Sequence, residues 1–409
     1  MSSMDIDAGE GAVTQDVAED FADPGFRADP HPRYAQWRAA GPVRRTRLPG
    51  GGAEVWLITR YEDARRALSD PRLSKQRAET GTVRSAARPG ERNVFGQHML
   101  AFDPPHHTRL RRLVSAAFTA RRIEALRPRI EQITTELLDA VAGRDEVDLI
   151  DAFAFPLPIQ VICELLGVPV ADRDAFRAWS DVLVTGDRPR MPEALKALGA
   201  YIRGLLARRR ADPGDDLLSG LIQVRDEGDR LSEDELSSMV FLLLIAGHET
   251  TVNLLGNGVY LLLKERPRWE RLRAEPELLP TAIEEFLRFE GPVATATFRV
   301  ATEDLEIGGQ TIAAGDPVMV GLLSAGHDEE RFPEAEELRL DRAQNPHLAF
   351  GHGVHYCLGA PLARLEAQVA FGQLLSRFPR LALAVPADAL AWRPGALIRG
   401  LVDLPVRLS

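Results

Sequence analysis

From Leu231 the chain reads LSEDELSSMVFLLLIAGHETTVNLLGNGVYLLLKERP, reaching Pro267 without an earlier proline. Ser232, with Glu235 three positions on, has the pattern of a capping box, in which each side chain satisfies the other's backbone amide. The spacing predicts a helix from there to about Glu265, which at 1.5 Å per residue is about 50 Å long. An element of that length crosses the centre of a large domain, so the rest of the chain must pack around it. Its longest unbroken apolar run, Met239–Ala246, is too short to span a bilayer.

AGHETT, Ala246–Thr251, interrupts the apolar character of this helix. Buried polar groups cost stability unless they are paired, so the stretch needs a reason. It could be a packing notch with a surface-reaching glutamate. It could instead be where a flat cofactor and a ligand approach the small residues Ala246 and Gly247. Thr250 would then bond back to the Ala246 carbonyl, opening the helix locally for O2 and water, and Glu249 would relay solvent protons.

The 409-residue sequence as a whole supports one domain, because 45% hydrophobic residues can fill a large core and no linker divides it. A net charge of −10, spread over 60 acids and 50 bases, argues against a general nucleic-acid binder. The acidic, polar N-terminus has neither the basic nor the apolar region of a signal peptide. The expectation is a cytoplasmic protein that does not enter a membrane, with a flexible segment 1–25 before a domain at 26–409. HPRYAQWRAAG reads as a short helix ending at Gly41. PVRRTRLPGGGAEVWLIT reads as two strands about a glycine-rich turn, and YEDARRALSD as a helix. Residues 75–98 read as a long mobile surface loop, and HHTRLRRLVSAAF as a helix. Most of 123–225 is helical, broken at Pro169, Pro189 and Pro213. LLPTAIEEFLRFEG forms a helix up to Gly291–Pro292, and short strands are expected at 298–301, 305–307 and 318–322. A poorly regular stretch, Phe332–His347, precedes a last helix from about Pro361 to Ser376. The fold class is mainly α with a small β-rich portion.

Of the two cysteines, Cys163 has apolar neighbours at helical spacing and reads as an inert buried residue. Cys357 lies in FGHGVHYCLG, residues 350–359. Structural zinc and iron–sulfur clusters need more ligands than this segment holds. A catalytic thiol needs a base, and His355 is near, but nothing identifies the group that would orient it. Haem changes the requirement: the porphyrin supplies four nitrogens, and one thiolate can complete the iron. Gly351, Gly353 and Gly359 allow close backbone approach. A helix starting just behind Cys357 would aim its amides at the sulfur. A structural cysteine on a glycine-rich turn is the alternative. HETTV opens like a zinc-peptidase HExxH but ends in Val252, and GHGVHY has Tyr356 where a dinucleotide fingerprint needs glycine.

Taken together these segments resemble a soluble bacterial cytochrome P450, a haem-thiolate monooxygenase of the ferredoxin-dependent class. FGHGVHYCLG matches the family's FxxGxxxCxG through Phe350, Gly353, Cys357 and Gly359. AGHETT matches its oxygen-activating stretch, EEFLR its ExxR as Glu285 and Arg288, and HHTRLR its HxxxR as His107 and Arg111. The resemblance runs in order from about Pro30 to the C-terminus.

The resemblance implies haem b (iron protoporphyrin IX), with Cys357 as proximal ligand and His107, Arg111, Arg299 and His355 holding the propionates. Glu249 and Thr250 resemble the acid–alcohol pair that delivers protons, with Thr251 as the alternative alcohol. Glu285 and Arg288 would form a buried structural pair. The register drawn from RFPEAEELRLDR puts Glu337 at its usual third position, with Arg339 or Arg342 as substitutes. Electrons would come from a ferredoxin and an NAD(P)H-dependent ferredoxin reductase, with Arg111, Arg112 and Arg364 as docking candidates. By family position the substrate pocket draws on 75–102, 176–193, Leu243–Gly247, Val293–Thr297 and Leu397–Ile398. Within it Met99, Leu100, Leu243, Ala246, Gly247, Val293, Ala294, Thr297, Leu397 and Ile398 are the candidate lining. Such a pocket suits a lipophilic molecule. The nearest subgroup by motif hydroxylates macrolides and other polyketides in natural-product tailoring, including antibiotic biosynthesis. Epoxidation, steroid- or vitamin-D-type hydroxylation, peroxide-driven chemistry and a non-catalytic haem sensor or carrier are the alternatives.

Overall fold

The long helix forms where its cap requires. In the computed structural model, Ser232 Oγ accepts from the Glu235 amide at 3.3 Å, and Glu235 Oε2 accepts from the Ser232 amide at 2.8 Å. The helix runs Glu233–Lys264 and ends at Glu265. The structure describes residues 21, 23–47, 54–76, 95–185, 189–223 and 229–408.

Around the central helix stand α1 (His31–Ala40), α2 (Tyr61–Ser69), α3 (His106–Ala117), α4 (Arg127–Val141), α5 (Pro156–Leu165), α6 (Arg173–Thr185) and α7 (Met191–Ala211). The central helix is α8, followed by α9 (Leu279–Phe289) and α10 (Ala360–Arg377). Helix α8 packs on α5, α7, α9 and α10. Gly258 leaves room for α10, since a Cβ there would run into the Phe371 ring. By length and composition α8 is the one helix among the described residues that could cross a membrane, but most of that window is buried inside the fold.

The β-rich portion is a five-stranded sheet. Its strands are β1 (Val43–Arg47), β2 (Glu54–Ile58), β3 (Leu73–Ser74), β5 (Arg299–Ala301) and β8 (Pro317–Val320). Their order is β1-β2-β8-β5-β3, with β2 and β8 parallel. Strands β4 (Glu146–Asp148), β9 (Ala382–Leu383) and β10 (Pro405–Arg407) make a small sheet ordered β4-β10-β9. A hairpin joins β6 (Leu305–Ile307) to β7 (Gln310–Ile312) across Gly308 and Gly309, at φ 56° and 75°.

All the expected strands are present, but β3, β4, β7, β9 and β10 go beyond the sequence reading. The glycine-rich turn of the first hairpin and most of the expected mobile loop, residues 77–94, lie outside the described residues, as do residues 1–20. The expected boundary at 25 needs correction: Phe21 is buried with Phe26 and Trp37, and the Asp23 carboxylate caps a helix beginning at Pro24.

Candidate active site

The cysteine segment is a closed loop. The Cys357 amide donates to the Phe350 carbonyl at 2.9 Å. Gly351 and Gly353 turn it at φ 74° and 71°, in the left-handed region that side chains disfavour. A Cβ on Gly353 would also press on the Leu68 carbonyl and Ser69 at 3.1–3.2 Å. Helix α10 begins at Ala360, and the amides of Gly359 and Ala360 bond to Cys357. Burial pushes the thiol pKa up, while those amides and the charges of Arg111 and Arg364 oppose the rise. Cys357 still presents open surface, whereas Cys163 is wholly buried in α5.

Beside the loop lies a basic cluster. The rings of His107 and His355 meet edge-on at 4.4 Å. Among the described residues, both ring nitrogens of His107 and Nε2 of His355 are buried without a hydrogen-bond partner. Burial, then the charges of His107, Lys75 and Arg299, hold His355 down to about 3. Arg299 is buried, lowered to about 10 by desolvation, and donates to the Thr297 carbonyl at 3.3 Å. Arg111 takes a different direction, donating to the Tyr356 carbonyl at 2.7 Å, which ties α3 to the cysteine loop.

On α8 the open surface follows one face. Leu243, Ala246, Gly247 and Thr250 are at least partly exposed, while His248, Glu249 and Thr251 are buried. An open stripe midway along a core helix marks an internal lining. Thr250 Oγ1 donates to the Ala246 carbonyl at 3.0 Å, as its spacing suggested. Gly247 also serves packing, because a Cβ there would meet Ile162 Cδ1 of α5 at 3.1 Å. Glu249 does not reach the surface. Its Oε1 accepts from Asn253 Nδ2 at 3.2 Å and from Arg393 Nη1 at 3.3 Å, and the Arg393 side chain is 19% exposed.

Val293 pairs with Ile398 in an antiparallel bridge, and the Ala294 amide donates to the Leu397 carbonyl. Leu397 is 43% exposed, and Val293, Thr297, Ile398 and Leu100 are partly so. Two members of the expected lining need correction. Ala294 faces the other way, into the cluster of Tyr34, Leu57 and Met319, because alternate residues of an extended segment point to opposite sides. Met99 is buried in the main core.

Glu285 and Arg288 form a fully buried pair at 2.7 Å. The third member is Arg342, whose Nε lies 3.1 Å from both Glu285 oxygens. The register pointing to Glu337 is corrected, since only its carbonyl takes part, accepting from Arg288 and Arg342. Arg339 contributes its amide to Glu285 and pairs its side chain with Glu334. Arg364 is not a free docking cation: it makes a two-bond pair with Glu284 at 2.6 and 2.7 Å and lies over Phe350. Sequence reasoning gave no signal for Arg393, Asn253 or Lys75, which stand alone outside any motif. A cleft of about 990 Å³ lined by His31, Arg38, Glu290, Asp328 and Arg399 lies away from the cysteine loop. Its buried charges pair with one another, as in Arg399–Glu290 at 2.7 Å.

A sulfur under helix-start amides, beside buried imidazoles without partners and a buried guanidinium, fits a flat iron cofactor that carries carboxylates. The cytochrome P450 family model matches residues 155–383. The chain is 53% identical over 392 residues to Cytochrome P450 107B1 of Saccharopolyspora erythraea, covering 94% of this chain and 96% of that one. It is 43% identical over 392 residues to Polyketide biosynthesis cytochrome P450 PksS of Bacillus subtilis, covering 94% and 97%. Its fold matches the structure of the tirandamycin C-bound P450 monooxygenase TamI with a TM-score of 0.88 and 52% identity, over 95% of this chain and 99% of that one. The chain belongs to the cytochrome P450 family. It is a monooxygenase with haem b on an axial cysteine thiolate, acting with O2 on a small lipophilic substrate.

Proposed function

We propose that Cys357 supplies the thiolate and that the enzyme hydroxylates a macrolide or other polyketide-type natural product. Its electrons come from a ferredoxin and an NAD(P)H-dependent ferredoxin reductase. The observation that carries the assignment is the contrast between the two cysteines. Cys163 is enclosed by core side chains, whereas Cys357 offers open surface at the start of α10, next to the basic cluster. His107, Arg299 and His355 hold the propionates, and Arg111 braces the loop.

Bound haem supplies oxygen insertion from O2; the chain supplies placement and protons. Thr250 holds its hydroxyl on the open face of α8 by donating to Ala246, and the buried Thr251 does not reach that side. Glu249 relays protons from behind it. Arg393, part exposed and 3.3 Å from Glu249, links that carboxylate to solvent. The apolar stripe on α8 and the Val293–Ile398 bridge favour a lipophilic substrate. A relative solved with tirandamycin C and another named for polyketide biosynthesis favour the polyketide class.

The test is a screen of macrolides and linear polyketides for low-to-high spin conversion of the ferric protein, then turnover with a ferredoxin pair. A product with one added oxygen is expected; failure of every polyketide alongside turnover of sterols would overturn the substrate class. Thr250→Ala is expected to keep NADH oxidation but divert electrons to peroxide, lowering product per NADH several-fold, with Thr250→Ser restoring much of it. Unchanged coupling in Thr250→Ala would remove the threonine from the proton path.

A further inference from the structure

Lys75 has no part in the assignments above. It follows β3, and its amide is anchored on Asp103 Oδ1 at 3.0 Å. Its ammonium donates to the Thr297 carbonyl at 2.9 Å, to the Phe298 carbonyl at 3.4 Å and to Thr297 Oγ1. Arg299 donates to the same Thr297 carbonyl. Two cations therefore converge on one neutral oxygen, an arrangement that repels unless an anion joins them. Asp103 is the nearby carboxylate, and it is already engaged by the Ser74 hydroxyl and by the amides of Lys75 and Gln76. Burial first, and then Arg299, bring the Lys75 ammonium down to about 7. Lys75 and Arg299 both act on His355, so the ammonium shares the field of the partnerless imidazoles. The charge of Asp103 offsets only part of this, since one carboxylate faces two cations and two imidazoles; the remainder calls for anionic oxygens, and haem b brings two propionates.

We propose that Lys75 is a haem-binding residue, its ammonium pairing with a propionate carboxylate beside Arg299. The proposal rests on the reading of Arg299, His107 and His355 as propionate partners. It makes the end of β3, where the segment 75–98 departs, part of the grip on the cofactor. A charge-assisted bond is about twice as strong as a neutral one, so losing the charge should be felt in haem retention.

The test is transfer of haem from the holoenzyme to excess apomyoglobin, followed by absorbance, for wild type, Lys75→Gln, Lys75→Arg and Arg299→Gln. Glutamine still donates to the Thr297 carbonyl but carries no charge. Lys75→Gln is expected to release haem about tenfold faster than wild type, and Lys75→Arg to stay near wild type. Arg299→Gln should also release haem faster. If Lys75→Gln matches wild type while Arg299→Gln is fast, Lys75 merely ties the chain to Thr297 and the proposal fails. If both match wild type, the propionate reading of the whole cluster fails as well. Should Lys75→Gln not load haem, wild-type holoenzyme treated with acetic anhydride gives the answer. Lys75 should be acetylated more slowly in the holoenzyme than in haem-stripped protein while the exposed Lys196 reacts alike in both, and equal Lys75 reaction in the two would overturn the proposal.

Discussion

Exchanging Cys357 for histidine is expected to abolish hydroxylation and the long-wavelength ferrous–carbon monoxide band, while the protein stays folded and still binds haem. The loop does not depend on the sulfur for its shape. Its closure is a main-chain bond from the Cys357 amide to Phe350, and its turns come from Gly351 and Gly353. What the sulfur would provide is electronic. With haem bound, Cys357 would supply an anionic sulfur donor, which a neutral imidazole would not. The amides of Gly359 and Ala360 stabilise that anion against the burial that raises its pKa. Bound iron would favour the thiolate further. Cys163→Ala is the matching control, and its spectrum should be that of wild type. Retention of the thiolate band in Cys357→His, or its loss in Cys163→Ala, would reassign the ligand.

What could be read beforehand follows the range of each interaction. The central helix was legible to its ends because its cap and its periodicity are local: Ser232 and Glu235 bond as their spacing suggests, and the helix stops just before the arginine–proline pair at 266–267. The hairpin at 305–312 carried its own signal in Gly308–Gly309, a two-residue turn with both φ positive, but strands of three residues show no alternation to notice. Strands β4 and β10 pair residues some 260 positions apart, Pro405 with Asp148 among them, and nothing local announces such a partner. The cysteine loop and the back-bonded Thr250 were visible as short motifs. Their supports were not: Arg393 meets Glu249 from 144 positions away, and Lys75 meets Thr297 from 222 away. Ala294 was misplaced because the motif gave the segment but not which face each residue takes.

The third member of the Glu285 network shows the same limit and carries the largest stability prediction. The stretch 332–347 has no period, so counting forward from Phe332 placed Glu337 opposite the pair. The chain instead turns at Glu334, at φ 55°, and presents carbonyls rather than the Glu337 side chain. Arg342 then enters, donating to Glu285 and to the carbonyls of Pro333 and Glu334, while Asn345 adds a bond to Glu285 Oε2. One carboxylate thus holds two buried guanidiniums between α9 and the segment leading to the cysteine loop.

Removing it in Glu285→Ala leaves both cations without their anion, at an expected cost of about 3–5 kcal/mol. That is a large part of the roughly 5–15 kcal/mol that holds a domain together, so denaturant unfolding should shift strongly and haem occupancy should fall with it. The pH dependence has a definite sign. Burial would raise the Glu285 pKa from its ordinary 4.5, but the bond and charge of Arg288, with help from Arg342, override it and hold the group lower. A depressed carboxyl contributes stability that is complete above its unfolded pKa and is lost as pH falls through the folded value. The wild type should therefore lose stability on acidification below about pH 4.5, and Glu285→Ala, already without this contribution, should show a flatter acid limb. If the variant unfolds at the wild-type denaturant concentration, with unchanged acid sensitivity, the network does not carry the junction between α9 and the cysteine loop.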